Sequence, residues 1–267
     1  MSAVEFKKVN NLSRFGFSNQ SGSVHTKRTM MLAELDSLMG HFGKKEVPHE
    51  TYIDSIIVDN LLAKRSVSSR RYTANYLTNL YILDFSTPLY RSVHYLWFRD
   101  EISKPLLAFL LAYARDSLLK CSAGYVLGLP IGVSPVKTDL EELIDSKYPG
   151  RFSIKMLQSL VRNLLSTWTQ SGHLSGRTNK IRKRPDYGPG AVCYALFLGY
   201  LTGRRGISLF ETDYIKLLDG PVEKYMDLAE ESSRRGWIIF KRIQKVIDVS
   251  FPNFLTSSEL ESIREQN

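Results

Sequence analysis

The sequence has few cysteines and no arrangement of them that indicates a cross-link or a metal site. Cys121 and Cys193 lie in apolar surroundings, without CxxC spacing and without a neighbouring histidine. Neither a disulfide framework nor a zinc site is therefore expected. Both side chains are predicted to be buried free thiols, which are typical of a protein in the reducing cytoplasm.

Long apolar runs are also missing. The two most apolar stretches, residues 105–114 and 191–202, are each about half of the ~20 residues that a bilayer crossing needs, and basic residues border them. The N-terminus lacks the apolar segment of a signal peptide. We therefore expect a cytoplasmic protein without a membrane association.

Signatures of catalysis are absent as well. The sequence contains no GxxxxGK[ST] loop, no HExxH and no GxSxG, and its histidines are dispersed. Acidic residues crowd 139–145, but carboxylates on one predicted helix are more typical of a solvated face than of a metal-dependent nuclease. The prediction is a protein that is not an enzyme and that holds no metal and no cofactor.

Acidic residues are missing from one long segment, and this absence is the most informative feature of the chain. Between Tyr148 and Pro185 the sequence has eight Lys or Arg residues and no Asp or Glu. Five of them fall close together: Arg177, Lys180, Arg182, Lys183 and Arg184. An ordinary solvated charge run mixes both signs, whereas clustered cations release counterions from phosphate. With a net charge of +9 for the whole chain, the pattern favours a polyanion ligand.

Helical periodicity dominates the sequence and predicts a mainly α protein. A length of 267 residues, with 43% hydrophobic and 24% charged residues, is typical of a globular chain with one or two domains. The composition changes at 129–135. This break predicts an N-terminal helical domain over 1–135 and a C-terminal helical domain over 136–267.

A helix-turn-helix is predicted in the N-terminal region. One helix follows Pro48, and after a connection at 63–66 a second begins at Ser68 or Ser69, with Tyr72 on its apolar side. Its first turn reads Ser-Ser-Arg-Arg, where a recognition helix contacts bases and phosphate. A generic helix pair with a basic face would show a similar pattern. The candidate DNA contacts here are Lys64, Arg65, Ser68, Ser69, Arg70, Arg71 and Asn75, joined by the five cations of 177–184.

The C-terminal region is predicted to contain winged-helix-like elements with one or two short β-hairpins. A helix that begins at Ser153 leads, after Gly172, through an extended segment into the basic loop 177–184. Further on, a helix over 222–235 precedes strand-like alternation at 247–251, which predicts two antiparallel strands. The tip of this second hairpin would carry Lys241, Arg242 and Lys245.

Three segments carry a family resemblance. At LLAKRSVSSRRYTANYL, at the helix end 168–174 with its basic tail, and at EESSRRGWIIFKRIQKVIDVSFP, the chain resembles the small BrxA proteins of bacterial bacteriophage-exclusion (BREX) systems. The resemblance runs through most of the chain and includes no catalytic motif. It implies a mainly helical binder of double-stranded DNA, with helix-turn-helix or winged-helix elements, that acts in the cytoplasm beside other proteins of a phage-defence system.

Two functions follow from these observations. The first is non-enzymatic binding of double-stranded DNA, mainly through phosphate and with weak sequence preference, because Lys and Arg outnumber Asn and Gln among the candidate contacts. The alternative is a protein-interaction subunit whose basic loop docks an acidic partner. RNA binding is less favoured, since the sequence has neither the RNP aromatics nor a GXXG loop of the KH type.

Overall fold

The computed structural model describes residues 12–18, 22–244 and 246–264. It is mainly helical with two short antiparallel hairpins, which confirms the predicted mainly α class. In these ranges the α-helices are α1 (Leu32–Phe42), α2 (His49–Ile57), α3 (Val67–Tyr81), α4 (Pro88–Trp97), α5 (Lys104–Arg115), α6 (Ser117–Gly128), α7 (Lys137–Lys147), α8 (Ile154–Gln170), α9 (Pro189–Leu201), α10 (Asp213–Lys216), α11 (Val222–Arg234) and α12 (Ser257–Arg264). The strands are β1 (Leu174–Ser175), β2 (Ile181–Arg182), β3 (Ile239–Ile243) and β4 (Val246–Ser250).

The most apolar stretches of the sequence form the centre of the fold. Helices α5 and α9 are buried along nearly their whole lengths and pack against each other. Helices that are apolar on every side belong in a protein core, and these two measure 12 and 13 residues. Within the described residues, no helix combines the length and apolar character that a bilayer crossing requires.

Helices from both sides of residue 135 share one hydrophobic core. Helix α9 packs against α4 and α5, and α8 packs against the 3-10 turn Val24–Thr26. The composition break at 129–135 corresponds to the connection between α6 and α7. Both cysteines lie buried and free, as predicted, and burial raises the pKa of each thiol.

A buried polar cluster joins the N-terminal segment to α6 and α8. Nδ1 of His25 lies 2.9 Å from a carboxylate oxygen of Asp116, and Nε2 lies 2.9 Å from Oγ1 of Thr167. Asp116 also caps α6 by accepting from the amides of Leu118 and Leu119. Because all of these groups are buried, each depends on the others for its hydrogen bonds.

Both hairpins form where β structure was predicted. β1 pairs with β2 antiparallel, and Gly176 begins their turn with φ 96°, where an added Cβ would lie 2.1 Å from the Asn179 carbonyl oxygen. Only glycine fits this position. β3 pairs with β4 from Ile239↔Ser250 to Ile243↔Val246. Of the predicted tip residues, Lys245 lies outside the described residues.

Candidate nucleic-acid interface

Helices α2 and α3 pack against each other and are joined by residues 58–66. Helix α3 begins at Val67, one or two residues earlier than predicted, because Ser66 is extended and its hydroxyl accepts from the amide of Ser69. Ala74 and Leu77 face the core, while Asn75 lies on the exposed stripe of the helix. The pair therefore presents the N-terminal half of α3 to solvent.

Of the predicted contact cations at this helix pair, Lys64 and Arg70 have partners within the fold. Nζ of Lys64 lies 2.9 Å from Oε1 of Glu34 on α1, and both side chains are partly buried. Nη1 of Arg70 donates to the carbonyl oxygens of Ile57 and Val58, at 2.7 and 3.2 Å, and so caps the end of α2. Lys64 and Arg70 therefore hold α1, α2 and α3 together, and a ligand would compete with these contacts.

The remaining predicted contacts on α3 and its preceding turn differ in accessibility. Arg65, Ser68, Arg71 and Asn75 are exposed, and Ser69 is half-buried. Neither Arg65 nor Arg71 forms an ion pair with a described carboxylate. Unpaired, exposed guanidinium groups can reach a ligand without breaking a contact in the fold. We call these four exposed residues the α3 surface.

A stacked aromatic pair, exposed Tyr72 and half-buried Tyr76, extends the α3 surface. Tyr72 was predicted on the apolar side of the helix but is 56% exposed. Its ring stacks on that of Tyr76, with centroids 6.1 Å apart and planes 15° apart, and Arg28 lies 5.7 Å from the Tyr76 centroid. Helical spacing places residues 68, 72, 75 and 79 on one side, which is the signal that would have placed Tyr72 correctly.

The second candidate surface is the β1–β2 hairpin. Arg177, Lys183 and Arg184 are exposed, and the only described carboxylate that pairs with any of these three is Asp186, 3.8 Å from Nζ of Lys183. Lys180 is half-buried, and its Nζ donates to Oγ1 of Thr169 at 2.8 Å. We call Arg177, Lys180, Lys183 and Arg184 the hairpin surface.

Arg182 was predicted to contact DNA, but the structure places it in the interior. Its side chain is 1% exposed, and Nη2 lies 2.6 Å from Oδ2 of Asp219. Nη1 donates to the carbonyl oxygens of His173 and Lys183. Strand alternation turns Ile181 outward and Arg182 inward. Its acidic partner comes from a distant part of the chain, which the local absence of acids could not reveal.

The side chain of His173, the residue before β1 of the same hairpin, lies in the protein interior. The ring is fully buried, packs against Trp168 and Phe109, and places Nε2 2.7 Å from the Leu217 carbonyl oxygen. A carbonyl only accepts, so Nε2 carries the proton. Burial lowers the pKa of His173 to about 3, and the nearby Arg182 charge acts in the same direction.

This lowered pKa predicts acid sensitivity. The unfolded chain binds a proton at His173 near pH 6.5, whereas the fold resists it down to about 3. Stability due to the neutral ring is therefore complete above pH 6.5 and falls between pH 6.5 and 3, by about 1.4 kcal/mol per pH unit. Urea unfolding across this range should show a steeper loss of stability in wild type than in His173→Gln, with the difference between the two slopes approaching that value. Equal slopes would contradict the prediction.

Direct contacts link the two surfaces through the C-terminal end of α8. Arg28 lies over the ring of Tyr76 on α3. Four residues further along the chain, the amide of Leu32 donates to Oε1 of Gln170 at the end of α8, at 3.0 Å. In the same helix turn Thr169 accepts from Lys180 of the hairpin surface. A chain of contacts therefore connects the α3 surface to the hairpin surface.

The β3–β4 hairpin is a third basic projection. Lys241 and Arg242 are exposed, but they lie on β3 opposite Asp248 and Ile247 and not at the predicted tip, and the apolar side chains beside the turn are exposed as well. Ile243 is 75% exposed and Val246 is 72% exposed. The base of the hairpin is anchored by the buried side chain of Phe240.

The composition of the site adds nothing that indicates catalysis. Across the described ranges, no three His, Cys, Asp or Glu side chains gather as a metal ion would require. No protein-family model matches the chain, and no curated protein matches it significantly.

Proposed function

We propose that this protein binds double-stranded DNA without catalysing a reaction. The observation that carries the proposal is the set of exposed cations that form no ion pair with a described carboxylate on two linked surfaces: Arg65 and Arg71 on the α3 surface, and Arg177 and Arg184 on the hairpin surface. Such cations neutralise backbone phosphates and release condensed counterions. The resemblance to BrxA proteins supports a role in cytoplasmic phage defence beside other proteins of a BREX system.

In this proposal α2 and α3 act as a helix-turn-helix and the two hairpins act as wings. The start of α3 would enter the major groove, where Arg71 and Asn75 are the side chains able to pair with guanine and adenine edges. Arg177, Lys183 and Arg184 would contact phosphate beside the groove. Since cations dominate both surfaces, the expected sequence preference is weak.

A protein-interaction subunit is the second candidate, and one observation favours it. Apolar side chains surround the basic hairpin: Ile131, Val133 and Ile181 are 55%, 43% and 42% exposed. Backbone hydrogen bonds from Gly132 to Arg182 and from Arg182 to Val133 bring these three together. Exposed apolar side chains next to cations suit an acidic protein partner with apolar anchors.

Fluorescence anisotropy of a labelled duplex of about 30 base pairs, titrated at several salt concentrations, tests the DNA proposal. Wild type should bind with a log–log salt slope of several. The variants Arg65→Ala/Arg71→Ala and Arg177→Ala/Arg184→Ala should each weaken binding and make the slope shallower by about one for every phosphate that is no longer neutralised. Unrelated duplex should compete with the labelled one.

A charge-matched control is available. Arg204→Ala/Arg234→Ala removes two exposed cations that belong to neither surface, so its slope should stay close to that of wild type. If folded wild type does not bind at low salt, the DNA proposal is wrong. If all three double variants weaken binding equally, net charge rather than these two surfaces governs it.

A further inference from the structure

A cavity of about 380 Å³ lies between the start of α7, the middle of α8 and the turn of the β1–β2 hairpin. Its polar lining consists of Ser134, Lys137, Thr138, Thr178, Asn179 and Lys180. One water molecule takes up about 30 Å³ in the liquid. The cavity therefore has ample room for a tetrahedral anion and part of whatever carries it.

The charges that line this cavity are of one sign. Lys137 and Lys180 both contribute to its wall, and no carboxylate of the described chain does so. Neither lysine forms an ion pair with a described carboxylate. Asp139 lines a separate groove together with Glu142, and it accepts from the hydroxyl of Thr138 at 3.5 Å. Both lysines thus line one concave site that no described carboxylate lines.

Lys180 is the more constrained of the two. Half-buried, it makes its side-chain hydrogen bond to a neutral hydroxyl, that of Thr169. Burial lowers the pKa of Lys180, and the charge of Lys137 lowers it further. Both partial burial and a neighbouring like charge disfavour the charged form of a lysine, and a bound anion would favour it.

We propose that this cavity binds a phosphate group between Lys137 and Lys180. Lysine is a common phosphate ligand that acts as a point charge. The side chains of Thr178 and Asn179 supply neutral donors on the same wall, whereas the Thr138 hydroxyl donates to the Asp139 carboxylate. Two cations with several neutral donors match an anion of charge between −1 and −2, which is that of a phosphodiester or a phosphomonoester. The site stands on the cavity and does not require that the protein binds duplex DNA.

NMR of ¹³C-lysine-labelled protein tests the proposal with inorganic phosphate as the probe, at constant ionic strength against chloride. Phosphate should shift the side-chain signals of Lys137 and Lys180 in a saturable way and raise the pKa of Lys180. By calorimetry, Lys137→Gln and Lys180→Gln should each weaken phosphate binding at least tenfold, while Lys147→Gln, an exposed lysine at the far end of α7 and outside the cavity and both surfaces, should not. Thermal melts establish that each variant is folded, and Lys137 is exposed enough to replace safely.

A second probe, the dinucleotide d(TpT), separates the two sources of a phosphate group. Saturable binding of d(TpT) at the two lysines would identify a nucleic-acid backbone, and binding of inorganic phosphate alone would identify a small phosphate ligand; either supports the site. Loss of duplex binding in Arg177→Ala/Arg184→Ala with phosphate binding retained would separate this site from the DNA proposal. If neither probe gives a saturable response above the chloride control, the site does not exist.

Discussion

Replacement of Asp116 with alanine should lower the free energy of unfolding by about 3–5 kcal/mol, because it leaves several buried donors unpaired at roughly 1–3 kcal/mol each. The carboxylate accepts from the buried His25 ring, from the Ser23 hydroxyl and from the backbone amides that begin α6. With alanine these donors lose their acceptor, and the cost falls mainly on the buried His25 ring and the buried amides that begin α6. Urea unfolding at pH 7 measures the decrease.

Ser23→Ala is the matched control, because it removes one donor and leaves the carboxylate paired. It should cost only about 1 kcal/mol. A decrease below about 1 kcal/mol for Asp116→Ala would show that the cluster does not hold the N-terminal segment in place.

The same carboxylate predicts a second, more acidic stability window. Burial alone would raise the pKa of Asp116, but the charge of His25 and the hydrogen bonds from His25, Leu119 and Ser23 hold it at about 2. An unfolded aspartate titrates near 3.8, so the stabilisation is complete above that pH and is lost as pH falls toward 2. The pH range of this loss lies below most of the pH range over which His173 affects stability, so acid titrations can separate the two effects.

Arg182→Ala should destabilise the protein by about 3 kcal/mol and leave DNA binding by the folded protein unchanged. The guanidinium joins β2 to Asp219 and to the backbone at His173 and Lys183, and it is 1% exposed. Its removal leaves a carboxylate and two carbonyl groups without their donor, while Asp219, at 22% exposed, recovers some solvation. Thermal unfolding and duplex anisotropy below the transition measure the two effects.

For Arg184→Ala we expect the opposite of the result for Arg182→Ala: unchanged stability and weaker DNA binding. Arg184 is exposed, so its removal should change stability by no more than about 0.5 kcal/mol and reduce the salt slope by about one. If Arg182→Ala instead keeps its stability and lowers the slope, the guanidinium is available to ligands and its assignment to the interior is wrong.

Pattern in the sequence determined a large part of the fold. Apolar periodicity placed the helices, and the short lengths of the stretches at 105–114 and 191–202 identified core helices. Ser153 begins α8 as predicted, with its hydroxyl accepting from the Met156 amide, because capping depends on neighbouring residues only. Strand alternation at 247–251 likewise placed β4.

Local sequence patterns predicted the ends of elements and the exposed faces of helices less accurately. Ser66, rather than Ser68 or Ser69, caps α3, since three nearby serines offer equivalent chemistry and the packing of α2 selects one. Tyr72 lies on the exposed side although its residue type suggested the core. Both errors concern which of several adjacent residues caps the helix or faces solvent. Packing against neighbouring helices decides this.

By itself the sequence determined the helical class, the two hairpins and the concentration of positive charge, because each depends on residues close together in the chain. The tertiary structure decided which cations are free. Glu34 pairs with Lys64, and Asp219 pairs with Arg182, across 30 and 37 positions, and Lys137 meets Lys180 at one cavity. Charge acts through distance in space and through burial, and only the fold sets these for residues far apart in sequence.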